Sequence, residues 1–399
     1  MPEGFVTATR ARFLILGLLT TAGLALGFNR GQLPRRDASA IENAGCVSAT
    51  NSTLSADATA PDLQLYREII AEVRHGRNYY DAAREKIPQF GFPISSPLNW
   101  RLPTYAWLFS WLPNKCWIQA VLLALALGGL ILAYDSKRRQ SGVGYAAGTT
   151  FLLFGVVRWA FDGEAYLAQE VWAGVLLMVS VAAHGRGRDR GTKGRRDGET
   201  WAQAWRWLAV AAGVLALFFR ELALPYCCIA CLVAAGNRRW AEAVAWTAGI
   251  AAFFGFFAWH VGQVRAQLAG TEVAAAAGLS QWLRLGGLDY VLLTTRMNSL
   301  LFHAPGWLLW LYLLSSLIGL ARQREETSQL ACWSALAYVV TFAFLGRPEN
   351  FYWGLLPAPL LAWGAAHGPA ALANSCRVGF AHHPFAEQVG TAHPTTAQT

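Results

Sequence analysis

The chain has 399 residues, of which 54% are hydrophobic and only 14% are charged. Soluble domains contain about 25% charged residues, so an ordinary soluble enzyme, a disordered protein and a nucleic-acid-binding protein are all poor fits. The net charge is +9 and there are 18 Trp. Basic residues gather on the cytoplasmic loops of membrane proteins, and Trp gathers at the membrane interface. The composition therefore predicts an all-α polytopic membrane protein.

Ten apolar segments approach the length of about 20 residues that a membrane-spanning helix needs. They cover residues 13–28, 117–134, 143–157, 168–183, 205–219, 222–235, 241–260, 300–320, 330–345 and 352–366. Segment 102–112 is half as long, which is typical of an interfacial helix. We therefore expect about ten transmembrane helices in one domain over residues 1–372, followed by a disordered cytoplasmic tail over residues 373–399.

Clusters of basic residues occur in alternate loops between these segments. They lie near residues 10–12, 137–139, 186–196, 238–239 and 322–324. Because short cytoplasmic loops carry the excess of Lys and Arg, both termini are expected in the cytoplasm. The basic run near residue 195 then reflects topology, and no nucleic-acid partner is expected.

The first outer loop, residues 29 to about 101, is long and carries an amphipathic pattern. Apolar side chains recur there at helical spacing: Leu63, Tyr66, Ile69, Ile70 and Val73. This spacing predicts a helix on the outer membrane face that ends near Gly76. The second outer loop, residues 261 to about 296, also has interfacial character, carried by Trp282, Leu283, Leu285 and Tyr290.

Asp62, at the start of the predicted outer helix, is the first candidate for chemistry. Asp is favoured at helix starts, where it accepts hydrogen bonds from backbone N–H groups. A carboxylate at the membrane surface can also act as a general base that takes a proton from a hydroxyl. The pattern alone leaves both roles open.

Arg220 and Glu221 stand alone within an apolar stretch, where ionisable residues are costly and suggest function. They can pair with each other at a span boundary, or Arg220 can bind an anionic ligand while Glu221 orients it or a substrate hydroxyl. Pro225 nearby permits a broken helix that lines a cavity.

Further polar residues cap spans on the predicted outer side. The segment RPENFYWG supplies Arg347, Glu349, Asn350, Tyr352 and Trp353. They suit either an interfacial aromatic belt with an arginine that reaches the interface, or a site that holds sugar and phosphate. Arg101 belongs to the same outer rim. Glu170 starts a span, where a carboxylate also interacts favourably with the helix dipole.

Motifs for nucleotide binding and proteolysis are absent: the chain has no Walker loop, GxGxxG, HExxH or GxSxG pattern. No cofactor is expected, and no metal is indicated. Any chemistry must then come from polar groups at the outer ends of the spans.

The stretch PDLQLYREIIAEVRHGRNYYDAA, the following NWRLP and the late RPENFYWG resemble the GT-C class of membrane glycosyltransferases, especially its bacterial members. The resemblance implies transfer of a sugar from a polyprenyl-phosphate donor to an acceptor hydroxyl at the outer face of the bacterial inner membrane, with inversion. It implies Asp62 as the catalytic base, and it makes Tyr66, Arg101, Glu170, Arg220, Glu221, Arg347, Glu349 and Asn350 candidates for substrate binding. The D-x-D pair of some members is absent after Asp62, which favours a single carboxylate without metal. The acceptor is not identified, and a lipid or polysaccharide flippase or a non-catalytic membrane protein stays as the alternative.

Overall fold

The computed structural model describes residues 61–95, 97–187, 196–269 and 285–371, and every regular element in these ranges is a helix. The predicted first span (13–28), the part of the predicted first outer loop before residue 61, and the predicted tail (373–399) lie outside the described residues. The structure therefore tests the sequence predictions from the outer helix onward.

The α-helices of the described chain are numbered here in order. They are α1 (Pro61–Arg74), α2 (Tyr79–Gln89), α3 (Thr104–Trp111), α4 (Lys115–Ser141), α5 (Val143–Val157), α6 (Gln169–Arg186), α7 (Arg196–Phe219), α8 (Leu224–Gly236), α9 (Trp240–Leu268), α10 (Gly287–Thr295), α11 (Gly306–Arg322), α12 (Glu326–Phe344) and α13 (Ala358–Ala365). Short 3-10 segments connect several of them, including Glu221–Ala223 and Pro348–Leu355.

Five described helices are long and apolar enough to cross a membrane. They cover Lys115–Ser141, Val143–Phe161, Trp201–Phe219, Trp240–Leu268 and Glu326–Phe344. Two further apolar helices, Glu221–Gly236 and Gly306–Arg322, are shorter. The described chain is thus an all-α multi-pass membrane protein, but the expectation of about ten spans is not confirmed.

The last predicted span, residues 352–366, does not form one continuous α-helix. Its first part belongs to the 3-10 segment Pro348–Leu355, and only the eight residues of α13 are α-helical. Pro357 stands between the two parts, and proline lacks the N–H that a continuing helix needs. At 1.5 Å per residue, α13 is roughly 12 Å long, too short to cross a bilayer. It is nevertheless buried along its whole length.

Helix α6 lies at the centre of the packing. Every residue from Gln169 to Gly185 is buried, and the helix packs against α4 and α7. Gly174 permits a close approach of backbone, because a Cβ at this position would lie 2.5 Å from the carbonyl oxygen of Leu355. The backbone of the Pro348–Leu355 segment is therefore held directly against α6.

The predicted amphipathic outer helix is present as α1, and Gly76 follows it with φ of +88°, a conformation that favours glycine. Its apolar stripe packs inward against α2 and α3, so this face covers protein rather than lying on lipid. Arg67 forms an ion pair with Glu164, and Arg74 donates to the carbonyl of Phe109 at 3.0 Å. These contacts fix α1 against the segment that precedes α6 and against the end of α3.

The second outer loop begins later than predicted, because α9 continues to Leu268. Trp282 and Leu283 lie outside the described residues. Leu285 is exposed as expected, but Tyr290 on α10 is buried and packs edge-on against Phe342. The ring of Tyr290 therefore contributes to protein packing rather than to a membrane interface.

Candidate functional site

Six of the predicted site residues come together from four separate parts of the chain. They are Asp62 and Tyr66 on α1, Arg101 in the loop before α3, Glu170 at the start of α6, and Arg220 and Glu221 where α7 ends. The 3-10 segment Pro348–Leu355 adds Asn350 and Tyr352 beside them. We call this set the outer cluster.

Arg220 occupies a break between two helices. Helix α7 ends at Phe219, Arg220 has extended backbone angles, and the 3-10 turn Glu221–Ala223 leads into α8 with Pro225 in its first turn. The predicted helix break is therefore present. It turns the Arg220 side chain into the protein, where only 1% of it is exposed.

Two carboxylates neutralise Arg220. Its Nε lies 2.8 Å from Oε1 of Glu170, and its Nη1 lies 2.9 Å from Oε1 of Glu221. The guanidinium also lies 5.9 Å from the centre of the Trp353 ring. Arg220 and Glu221 do form the mutual pair that the sequence left open, and Glu170 completes it as a third member. A buried guanidinium with two carboxylate partners has little remaining charge to offer an anionic ligand.

Arg101 is placed differently, because its described side-chain partners are hydroxyl groups. Its Nε donates to the Tyr66 hydroxyl at 2.8 Å, and its Nη2 lies 3.5 Å from the Tyr352 hydroxyl. No carboxylate of the described residues lies within ion-pair distance of it. The positive charge of Arg101 is therefore not neutralised by direct contact, which suits a group that binds an anion.

Asp62 lies in the first turn of α1, one residue after Pro61, where the helix begins. Its side chain is half-buried, and burial is the main cause that raises its pKa; the nearby charge of Arg101 opposes this shift and Glu170 adds to it. Asp62 also lies one helical turn before Tyr66 on α1, and Tyr66 bonds to Arg101, which places the Asp62 carboxylate near the guanidinium. A carboxylate with a raised pKa is a stronger base than an exposed one.

The late segment contributes through Asn350 and Tyr352. The Tyr352 hydroxyl donates to Oδ1 of Asn350 at 3.2 Å, and Tyr290 donates to the Asn350 carbonyl at 2.8 Å. Arg347 is half-buried and Glu349 is exposed at the edge of the same segment. Asn350 thus belongs to the outer cluster, whereas Glu349 lies on its rim.

Three tyrosines add to this region: Tyr79, Tyr290 and Tyr352. Only Tyr352, as a ring of the segment RPENFYWG, was among the candidates from the sequence. Tyr79 donates to the carbonyl of Arg101 at 2.5 Å, and the other two hold Asn350. The adjacent tyrosines in GRNYYDAA were a visible signal for Tyr79. No local pattern pointed to Tyr290, because its partner is 60 residues away.

The structure is that of a multi-pass α-helical membrane protein whose outer cluster holds the half-buried carboxylate of Asp62 near the guanidinium of Arg101. No protein-family model matches the chain, and no curated protein matches it. The chain is similar to two solved structures of ArnT from Cupriavidus metallidurans, one bound to undecaprenyl phosphate and one in the apo state. Identity is 16% in both, with TM-scores of 0.49 and 0.47, and the match covers 81% of this chain. It spans 59% of the length of the ArnT chain.

Proposed function

We propose that this protein is a membrane glycosyltransferase that moves a sugar from a polyprenyl-phosphate donor to an acceptor hydroxyl. The observation that carries the proposal is that Asp62 lies near Arg101: Asp62 is one helical turn from Tyr66 on α1, and the Tyr66 hydroxyl accepts from Nε of Arg101 at 2.8 Å. Asp62 is a half-buried carboxylate with a raised pKa, and Arg101 is a guanidinium that no described carboxylate neutralises. The donor class follows from the resemblance of the sequence to GT-C enzymes.

In the proposed reaction, the Asp62 carboxylate accepts the proton of the acceptor hydroxyl. The oxygen then attacks the anomeric carbon, a new C–O bond forms, and the bond between that carbon and the phosphate oxygen breaks. The electron pair of the broken bond leaves with the polyprenyl phosphate. Attack from the side opposite the leaving group inverts the configuration at the anomeric carbon.

Arg101 is the proposed cation for the departing phosphate, because charge that develops on a leaving group is stabilised by a preorganised donor. The hydroxyls of Tyr66 and Tyr352 hold the guanidinium in place while leaving donor N–H groups for a ligand. We assign Arg220, Glu170 and Glu221 a supporting role, in which their ion pairs fix the floor of the outer cluster. Asn350 is the proposed contact for a sugar hydroxyl.

The proposal is tested with membranes that contain the protein and a panel of undecaprenyl-phosphate-linked sugars. Cleavage of the donor with transfer to an acceptor, lost in Asp62→Asn, is the expected result. A flippase, the alternative function, would move the donor across the membrane without cleaving it. The donor would then stay uncleaved with both the wild type and Asp62→Asn. Donor movement without cleavage would therefore replace the glycosyltransferase assignment.

A further inference from the structure

The backbone on either side of the Arg101 side chain is held at two consecutive carbonyl groups. Nε2 of His260 lies 3.1 Å from the carbonyl oxygen of Trp100, and the Tyr79 hydroxyl donates to the carbonyl oxygen of Arg101 at 2.5 Å. His260 belongs to α9 and Tyr79 to α2. Two elements far apart in sequence therefore meet at the peptide units that carry Arg101.

The contacts of His260 determine which ring nitrogen carries the proton. A carbonyl oxygen only accepts hydrogen bonds, so Nε2 must be the donor to Trp100. In the neutral ring Nδ1 is then an acceptor, and the Tyr80 hydroxyl lies 3.0 Å from it. Tyr80 thus donates to His260, and His260 donates to Trp100. His260 is completely buried, so water does not compete for these bonds.

The adjacent residues Tyr79 and Tyr80 act on the same loop by two routes. Tyr79 bonds to Arg101 directly, and Tyr80 reaches Trp100 through His260. The start of α2 is itself fixed, because the Asn78 side chain accepts from the backbone N–H of Tyr80 at 2.8 Å. Both tyrosine rings are almost fully buried and pack edge-on at 5.1 Å.

The loop that these contacts hold has no regular helix to fix it at Arg101. After the short 3-10 turn Pro97–Asn99, residues 100–103 connect to α3, which begins at Thr104. The indole of Trp100 donates to the carbonyl of Ile94 at 2.9 Å, which closes the loop on itself. The contact with His260 joins this closed loop to the spanning helix α9.

We propose that His260, Tyr79 and Tyr80 are positioning residues that fix the backbone at Trp100 and Arg101 and thereby hold the Arg101 guanidinium where the donor phosphate binds. The last clause rests on the proposed function. Site geometry has to be held to within about 0.5 Å for efficient catalysis, and a side chain on an irregular loop needs such support more than one on a helix.

The experiment uses full-length protein in detergent and undecaprenyl phosphate as the probe. The variants are His260→Leu, which removes both ring hydrogen bonds, and His260→Gln, which keeps an amide donor for Trp100. Thr247→Val is the matched control, because it also removes a hydrogen bond from α9, that from Thr247 to Ala243. Tyr79→Phe is compared with Tyr226→Phe, which loses a buried bond to Ser180 instead.

Hydrogen exchange of residues 93–103 measures the positioning itself. We expect at least tenfold faster exchange in His260→Leu and Tyr79→Phe, near wild-type exchange in His260→Gln, and no change in the two controls. Unchanged exchange in His260→Leu would overturn the proposal. This readout needs no ligand, so it stands even if undecaprenyl phosphate fails to bind the wild type, a result that would count against the proposed function alone.

Binding of undecaprenyl phosphate measures the consequence for Arg101. We expect His260→Leu to weaken binding about tenfold, His260→Gln to restore most of it, and His260→Leu to have no further effect when Arg101→Gln is already present. An equal tenfold loss in both backgrounds would show that His260 acts on the fold in general, and the positioning role would be abandoned.

Discussion

The carboxylate of Glu170 lies 2.8 Å from Nε of Arg220, and at most 5% of either side chain is exposed. Removing one partner of a buried ion pair leaves an uncompensated charge, which typically costs about 3–5 kcal/mol. Arg101 lacks such a partner among the described residues. The two arginines of the outer cluster therefore have separable effects on stability and on ligand binding.

Arg220→Met is expected to lower the free energy of unfolding by about 3–5 kcal/mol, because Glu170 stays buried without its cation. The double variant Arg220→Met with Glu170→Gln should recover part of this loss. Arg101→Met serves as the comparison and should weaken binding of undecaprenyl phosphate more than it changes stability. Thermal unfolding and a binding titration are measured on the same samples. If Arg220→Met mainly weakens binding and Arg101→Met mainly lowers stability, Arg220 is the phosphate ligand.

The variant Asp62→Asn distinguishes a role of Asp62 as general base from a role as hydrogen-bond acceptor at the start of α1. Asparagine has a similar shape and still accepts hydrogen bonds, but it cannot take a proton. If Asp62 is the catalytic base, Asp62→Asn should lower turnover by about 10²–10⁴-fold and leave donor binding intact. Asp81→Asn is the matched control on α2, where the Asp81 carboxylate accepts from Gln267 at 2.7 Å. Normal turnover in Asp62→Asn together with a loss in Asp81→Asn would move the base to Asp81.

The pH dependence of transfer should report the environment of Asp62. The base acts when deprotonated, so activity is lost as the pH falls through its pKa, and burial raises that pKa above the usual 3.8. The charge of Arg101 opposes this shift. Arg101→Gln should therefore raise the pKa further and move the acidic limb of the residual activity to higher pH. A limb that stays in place, or moves to lower pH, would show that Asp62 is not the titrating group.

The contact between α11 and α13 predicts a packing defect. A Cβ at Gly319 would lie 2.1 Å from the carbonyl oxygen of Gly364. Backbone cannot rotate away as a side chain can, so Gly319→Ala should destabilise the protein by about 1–3 kcal/mol. Gly255→Ala on α9 is the control, since nothing lies within 4 Å of that Cβ, and alanine favours a helix. Equal unfolding temperatures for the two variants would contradict this packing.

The predicted orientation of the chain is tested at Cys116, which is exposed at the first turn of α4. With the other cysteines replaced by alanine, an impermeant maleimide added to intact cells should label Cys116. A protein with the buried Cys332 as its single cysteine should stay unlabelled under the same conditions. Labelling of Cys116 that requires permeabilised cells would place this end of α4 in the cytoplasm and reverse the topology.

The hydrophobic pattern of the sequence predicted individual helices well where hydrophobicity alone determines the structure. The apolar run at 143–157 coincides with α5, and the stripe from Leu63 to Val73 identified α1. The same signal predicted a span over residues 352–366 where the described chain has only a short buried helix, because hydropathy does not distinguish a helix buried in protein from one that faces lipid. Helix α13 is apolar because it is buried in protein.

The sequence predicted which charged residues belong to the outer cluster, but not which of them form ion pairs with each other. Asp62, Arg101, Glu170 and Arg220 stand out because ionisable residues near spans are costly. Which guanidinium is neutralised depends on contacts between residues far apart in the chain, such as Glu170 with Arg220. Periodicity contains no information on such contacts, and the role of His260 could not be derived from it either.

Helix α6 has a consequence for how this protein enters the bilayer. It is not among the helices that are long and apolar enough to cross on their own, and protein surrounds it from Gln169 to Gly185. Contact with lipid therefore contributes little to its stability in the folded protein, and its own hydrophobicity offers the insertion machinery a weak signal. We expect α6 to insert together with α4 and α7, the helices it packs against, so that biogenesis of the central helix depends on segments on both sides of it in the chain.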